Sequence, residues 1–211
     1  MTTAPTAVGG VYLTQPDTLS SLIHELGAQW RLPDPRVAGT LWWYMACDVL
    51  LGGPVRAIAR AEAIPDPSLD RAVVTLRPDA GVAAVRYLGT CASPEHAQQA
   101  LHETLEQVIE PLAAVSGAAP AALRAVVTDA IGNLALTAAR DQDGAVAVAR
   151  ALIEGIGDLP RSRFVDVTGR RFVHRVSCCM VDRMSGADMC ISCPRRDGAE
   201  RAELLARMAA E

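Results

Sequence analysis

Four of the six cysteines fall between positions 178 and 193, in the stretch HRVSCCMVDRMSGADMCISCPRR (174–196). Two are adjacent, Cys178 and Cys179, and two are separated by a pair of residues, Cys190 and Cys193. If these thiols meet at one centre, the backbone has to reverse between them, so the spacing restricts the C-terminal fold strongly. Successive side chains of a strand point to opposite faces, so both members of the adjacent pair reach one centre only if the chain turns there. The intervening MVDRMSGADM is long enough to bring the chain back, and Ser185-Gly186 supplies a turn. In Cys190-Ile-Ser-Cys193 the two thiols can converge on one metal, as in zinc knuckles and iron–sulfur loops.

The compartment bears on which chemistry collects the thiols. The N-terminal MTTAPTAVGG has no basic region and no apolar run, so no secretory signal is expected, and the expected location is the cytoplasm. In a reducing compartment, clustered cysteines point more to metal or redox chemistry than to disulfides. Soft thiolates favour zinc or iron–sulfur over magnesium or calcium. Structural zinc usually takes two short-spaced knuckles, which an adjacent pair fits poorly. Spacing therefore favours iron–sulfur, with zinc and a thiol switch or disulfide as the alternatives.

The remaining chain reads as an α+β fold. Its 211 residues allow one large domain or a domain with a small appendage. Half are hydrophobic but only 4% aromatic, so the core must be mostly Ala, Leu and Val. After an extended start at Val11–Leu13, Asp17 can cap a helix to about Trp30, which RLPDPR ends. A second helix from about Val37 is expected to bend or end at Gly52-Gly53-Pro54 and to continue helically through Ala63. Residues 71–89 read as a hairpin around Pro-Asp-Ala-Gly. Ser93-Pro94 begins a helix with a stripe at Leu101, Leu105, Val108 and Leu112, ended by Ser116-Gly117. Helices over about 120–140 and 144–156 follow, then a second hairpin, FVDV and RFVHRV, that leads into Cys178, and a last amphipathic helix at 199–210. The expected organisation is a helical body at 1–160 and a C-terminal cluster-binding region at 161–211, packed as one unit.

Taken together, CC-x10-C-x2-C, the arginine-bearing strand before it and the proline after it resemble the C-terminal region of FhuF-type ferric siderophore reductases. GRRFVHRVSCCMVDRMSGADMCISCP (169–194) is similar to that pattern almost throughout. The WW and LLGGPV segments of the body are compatible with the same family, although only the last 35 or so residues are specific. The resemblance implies a [2Fe-2S] cluster on Cys178, Cys179, Cys190 and Cys193. It also implies one-electron reduction of Fe(III) in a ferric siderophore. Arg195 stands where many relatives carry an apolar residue. Neither GxGxxG nor Walker A occurs, so a separate electron donor, a ferredoxin or reductase, is implied. The rival from another class is a non-catalytic zinc or iron–sulfur binding or sensor module.

Other residues divide between core and surface. Cys47 and Cys91 read as core thiols. His174 reads as a neighbour of the ligands or a surface residue, and His24, His96 and His102 as solvated. Trp42, Trp43 and Tyr44 are consecutive, so they cannot all enter one core, and one can line a groove or interface. Asp129 and Asn133 lie one turn apart in an alanine-rich helix and read as surface. The arginines are less even. All 20 basic residues are arginine, and residues 161–196 hold eight of them against three aspartates, a net +5 that leaves −9 on the rest. Arg175, Arg195 and Arg196, nearest the thiols, are candidates for tuning the site and attracting an anionic substrate. The overall charge of −4 gives no reason to expect nucleic acid as a partner. AGTLWWYMACDVLLGG (38–53) is the best candidate for a membrane span. Its central Asp48 would cost about 2.5–3.5 kcal/mol on insertion, so a buried helix is expected and no membrane span.

Overall fold

The computed structural model of the chain describes residues 5–210. The expectation about the N-terminal stretch rests partly on residues 1–4, which lie outside them. Six helices and two small antiparallel sheets make up an α+β fold among the described residues.

The first sheet has three strands where a two-stranded hairpin is expected. Strand β1 (Thr6–Gly9) pairs with β2 (Ala72–Leu76), which pairs with β3 (Val82–Tyr87). The extended segment thus precedes Val11–Leu13, which instead lies in a 3-10 turn that buries Leu13 completely. Helix α1 (Pro16–Trp30) begins after Gln15, with Pro16 opening the helix. Asp17 therefore lies inside the first turn, where its charge favours the helix dipole, and is not the cap.

Helix α2 (Pro35–Arg60) runs 26 residues without stopping at Gly52-Gly53-Pro54. Proline costs a helix its i→i−4 hydrogen bond, here the one to Leu50. The Tyr87 hydroxyl donates to that carbonyl at 2.9 Å instead. Gly53 makes room for this: a Cβ there would stand 2.5 Å from Tyr87 Cε2. The helix ends at Ala61, whose backbone is left-handed.

Helix α2 also explains how consecutive aromatics are accommodated. It packs on α1, on α3 (Pro94–Ser116), on α4 (Pro120–Ala138), on α5 (Gln142–Ile156) and on β3, so it is apolar on several sides. Trp42 and Trp43 are both buried, and their indole N–H groups donate to Ala80 O and Leu123 O, each at 3.0 Å. Only Tyr44 of the three stays partly exposed. Ser93 caps α3 by accepting from His96 N, and left-handed Gly117 ends it. Helix α4 has the length and apolar composition of a membrane span, but 61% of its most apolar 18-residue stretch is buried inside the protein.

The second sheet pairs β4 (Phe164–Val167) with β5 (Arg170–Val173). It lies close against α4: a Cβ on Gly132 would meet Val173 Cγ2 at 2.8 Å and the Phe164 ring at 3.6 Å. Helix α6 (Gly198–Ala210) packs back on β4.

Candidate metal centre

Strand β5 ends at Val173, three residues earlier than the RFVHRV pattern suggests. His174 N still donates to Arg163 O at 2.8 Å, but the next N–H groups leave the ladder. Buried backbone donors need partners. Asp129, on α4, supplies them: its carboxylate accepts Val176 N–H and Ser177 N–H, each at 3.0 Å, and the Ser177 hydroxyl at 2.6 Å.

Asp129 is therefore not the surface residue its neighbours in sequence suggest. It is 3% exposed and lies on the face of α4 that meets the second hairpin. A signal for this was present in the helix. Asp129 shares its face with Val126 and Gly132, which face inward, so a carboxylate there needs donors from another segment. Asn133, one turn on, is exposed as expected.

Beyond Ser177 the chain turns sharply. Met180 has φ 60°, so the reversal expected at the adjacent cysteines is completed one residue after them. Cys193 N donates to Cys190 O at 3.1 Å, which folds the second pair into a tight turn. Cys179 and Cys193 are buried, while Cys178 and Cys190 are partly exposed. No disulfide joins any of the six cysteines.

The sulfurs of Cys179 and Cys190 are 3.9 Å apart. Two thiolates on one tetrahedral metal, each about 2.3 Å from it, stand about 3.8 Å apart. The spacing of this pair is that of two positions on one tetrahedral metal. Among the described residues, no three His, Cys, Asp or Glu side chains converge as they would around a single ion.

Two arginines stand beside the thiols, each next to one member of both pairs. Arg175, 5% exposed, donates from Nη1 to Cys190 Sγ at 3.5 Å and pairs through Nε with Asp129 Oδ2 at 3.4 Å. Its Nη2 donates to Ser177 Oγ at 3.4 Å, and its guanidinium lies 5.0 Å from the centre of the Tyr44 ring. Arg195 pairs with Asp182, and its proton is held further by Cys193 and Cys178. Metal ligation needs thiolates, which nearby cations favour. The hydrogen bond with Cys190 holds the Cys179 thiol well below its ordinary value, helped by Val181 N–H and Arg175 and opposed by burial. The shared proton stays on Cys190, which is pushed up. Burial raises Cys178, against the pull of Met180 N–H and Arg195.

Arg196 has a different place from Arg195. It donates to the carbonyls of Cys190 and Met189 and pairs with Glu200, so it braces the turn that holds the second thiol pair. Arg201 adds a bond to Cys193 O at 3.2 Å. His174 is half-buried beside the site. His24 and His96 are exposed, whereas His102, expected to be solvated, places Nδ1 2.9 Å from Ile156 O at the end of α5. Cys47 is buried in α2 and Cys91 half-buried after β3. Tyr44 and Asp129 also line a cavity of about 280 Å³, together with Asp48, Arg77 and Asn133.

Residues 175–195 match the family model of the FhuF 2Fe-2S C-terminal domain, a match that contains all four clustered cysteines, Arg175 and Arg195. It is consistent with an FhuF-type family and supports a [2Fe-2S] cluster as the cofactor. None of the curated proteins searched matches the chain.

Proposed function

We propose that this chain is a cytoplasmic ferric-siderophore reductase whose cluster is held by Cys178, Cys179, Cys190 and Cys193. The observation that carries the reading is the set of four thiols, two of them partly exposed, inside the matched 2Fe-2S domain. When bound, the cluster supplies one electron at a time. The substrate is siderophore-bound Fe(III), which hard oxygen donors hold tightly, while they hold Fe(II) weakly. A single electron is therefore enough to free the metal, and no acid, base or nucleophile is needed.

The chain's own contribution is placement and charge. Buried Cys179 and Cys193 anchor the site, while partly exposed Cys178 and Cys190 bring one side of it toward solvent. Arg175 and Arg195 offset the negative charge that gathers on the sulfurs. Electrons come from a separate donor of the ferredoxin or reductase class.

The test begins with the purified chain. A reddish-brown protein holding two irons and two sulfides is expected, and it should be reduced anaerobically and mixed with a panel of ferric siderophores. Reoxidation in step with Fe(II) release, trapped by a ferrous chelator, is the expected result. A cluster that stays reduced with every chelate would refute the reductase reading. A colourless protein with stoichiometric zinc would move the chain to the binding or sensor class.

A further inference from the structure

The pair formed by Asp129 and Arg175 ligates nothing, yet it links the middle of α4 to a cluster thiol. Asp129 receives two backbone N–H groups, one hydroxyl and Arg175 Nε. Those four donors occupy both carboxylate oxygens and fix where the guanidinium lies. A guanidinium is planar, always charged and forked, so holding one edge aims the other. The aimed edge meets Cys190 Sγ at 3.5 Å, and its face rests against Tyr44.

Stability alone does not account for this arrangement. A buried ion pair is often no better for stability than apolar residues of similar volume. The third partner is what a merely structural pair would lack. A hydrogen bond to a thiolate and a buried positive charge beside it both favour the more negative, reduced state.

We propose that Asp129 is a positioning residue that acts through Arg175, holding the guanidinium on Cys190 so that reduction of the site is favoured. This rests on the reading of the site as a [2Fe-2S] electron-transfer centre. Asp129 is more than a nearby charge in this reading. By charge alone it would oppose reduction, and only through Arg175 does it assist.

The experiment is a redox titration of the full cluster-loaded chain, followed by visible absorption and EPR. The variants are Arg175→Met, Arg175→Lys, Asp129→Asn and the Asp129→Asn/Arg175→Met double variant. Arg175→Met is expected to make reduction about tenfold less favourable, a fall of about 59 mV for one electron. Arg175→Lys keeps the charge but cannot span Asp129 and Cys190 together, so it should recover less than half of that loss. Removing the Asp129 charge should ease reduction in the Arg175→Met background. With Arg175 present, that easing should be cancelled or reversed, because the released guanidinium leaves the sulfur. A difference of about threefold or more between the two backgrounds is the coupling expected of residues that act together. Equal shifts in both backgrounds, or full recovery by Arg175→Lys, would overturn the positioning role. Ser177→Ala keeps both charges and removes one hydroxyl that donates to Asp129 and accepts from Arg175 Nη2, so it loosens the pair as a unit and serves if Asp129→Asn does not fold. It should make reduction about twofold less favourable, and an unchanged potential would overturn the proposal. A wild-type chain that takes up no cluster overturns the functional reading and this proposal together. Equal shifts in a cluster-bearing protein overturn only the proposal.

Discussion

The Tyr87 hydroxyl stands 2.9 Å from Leu50 O, the carbonyl that Pro54 leaves without its helical donor. A strand residue thus repairs a helix 37 positions away and lets α2 pass through its proline. Tyr87→Phe keeps the ring against Gly53 and removes only the donor. It should cost about 1–3 kcal/mol, the range for a buried acceptor left unpaired. Urea unfolding of the two proteins measures this, and equal midpoints would mean that solvent serves the carbonyl.

The same hydroxyl gives the fold an alkaline limit. Burial pushes Tyr87 up to about 12, against lesser opposing effects of Gly53 and Arg56. Its folded value lies above the ordinary value of about 10, so the stability it contributes is complete below pH 10. That contribution is lost as pH rises through about 12. Unfolding curves taken between pH 9 and pH 12 should show the loss in the wild-type protein and a flatter profile in Tyr87→Phe.

Close contact between α4 and the second hairpin should be intolerant of even one methyl group. Gly132→Ala places its Cβ 2.8 Å from Val173 Cγ2, so the Val173 side chain, on the strand that leads to the thiols, has to give way. Overpacking of this kind costs about 1–3 kcal/mol. The expected sign at the site is faster bleaching of the visible absorption in air, measured against the wild type. A cluster lifetime unchanged by the substitution would show that the hairpin can shift without disturbing the ligands.

Thiol replacement separates ligands from core. Cys178→Ser and Cys193→Ser should abolish or grossly alter the visible spectrum. Cys47→Ala and Cys91→Ala should leave it intact, with stability changes of about 1–2 kcal/mol. Stripping the cluster should raise hydrogen exchange across residues 176–196 while the helices of 94–156 stay protected, because metal binding and local folding are coupled. An intact spectrum in Cys178→Ser would remove that residue from the ligand set.

Arg195 and Arg196 are adjacent in sequence and should behave differently. Arg196 braces the carbonyls of Met189 and Cys190, so Arg196→Gln should shorten the life of the bound cluster. Arg195 is exposed and lies by Asp182, Cys193 and Cys178, so Arg195→Gln should act mainly through charge. Charges about 8 Å apart at an effective dielectric of about 20 interact by roughly 2 kcal/mol before solvent screening. A quarter of that lowers the midpoint potential by about 20 mV. The variant should also slow reduction of an anionic ferric chelate more at low salt than at high salt. Identical salt profiles for the two proteins would remove Arg195 from substrate attraction.

Local patterns carried most of the fold because local physics decides them. Ser93-Pro94 caps a helix, the Leu101–Leu112 stripe buries one face, and Thr168-Gly169 turns a hairpin, wherever the segments end up. The approach of Cys190 and Cys193 in one tight turn is equally local, since only two residues separate them. What the sequence concealed depends on distant partners. The unbroken α2 needs Tyr87, β1 needs the edge of β2, and the donors that satisfy Asp129 arrive with Val176 and Ser177, 47 and 48 positions away. Tyr44 stands beside the two tryptophans in the sequence, but its contact with Arg175 exists only once α2 and the cysteine loop are neighbours.

The carboxylate on α4 also limits how portable this centre is. Residues 161–211 contain every clustered thiol and both arginines beside them, and on paper they form a motif that could be moved to another scaffold. The groups that orient the loop, Asp129 and Tyr44, stay behind in the helical body. A transplant would carry the ligands without their support. To move the centre intact, the host must present a buried acid beneath the backbone of 176–177 and an aromatic face against the arginine.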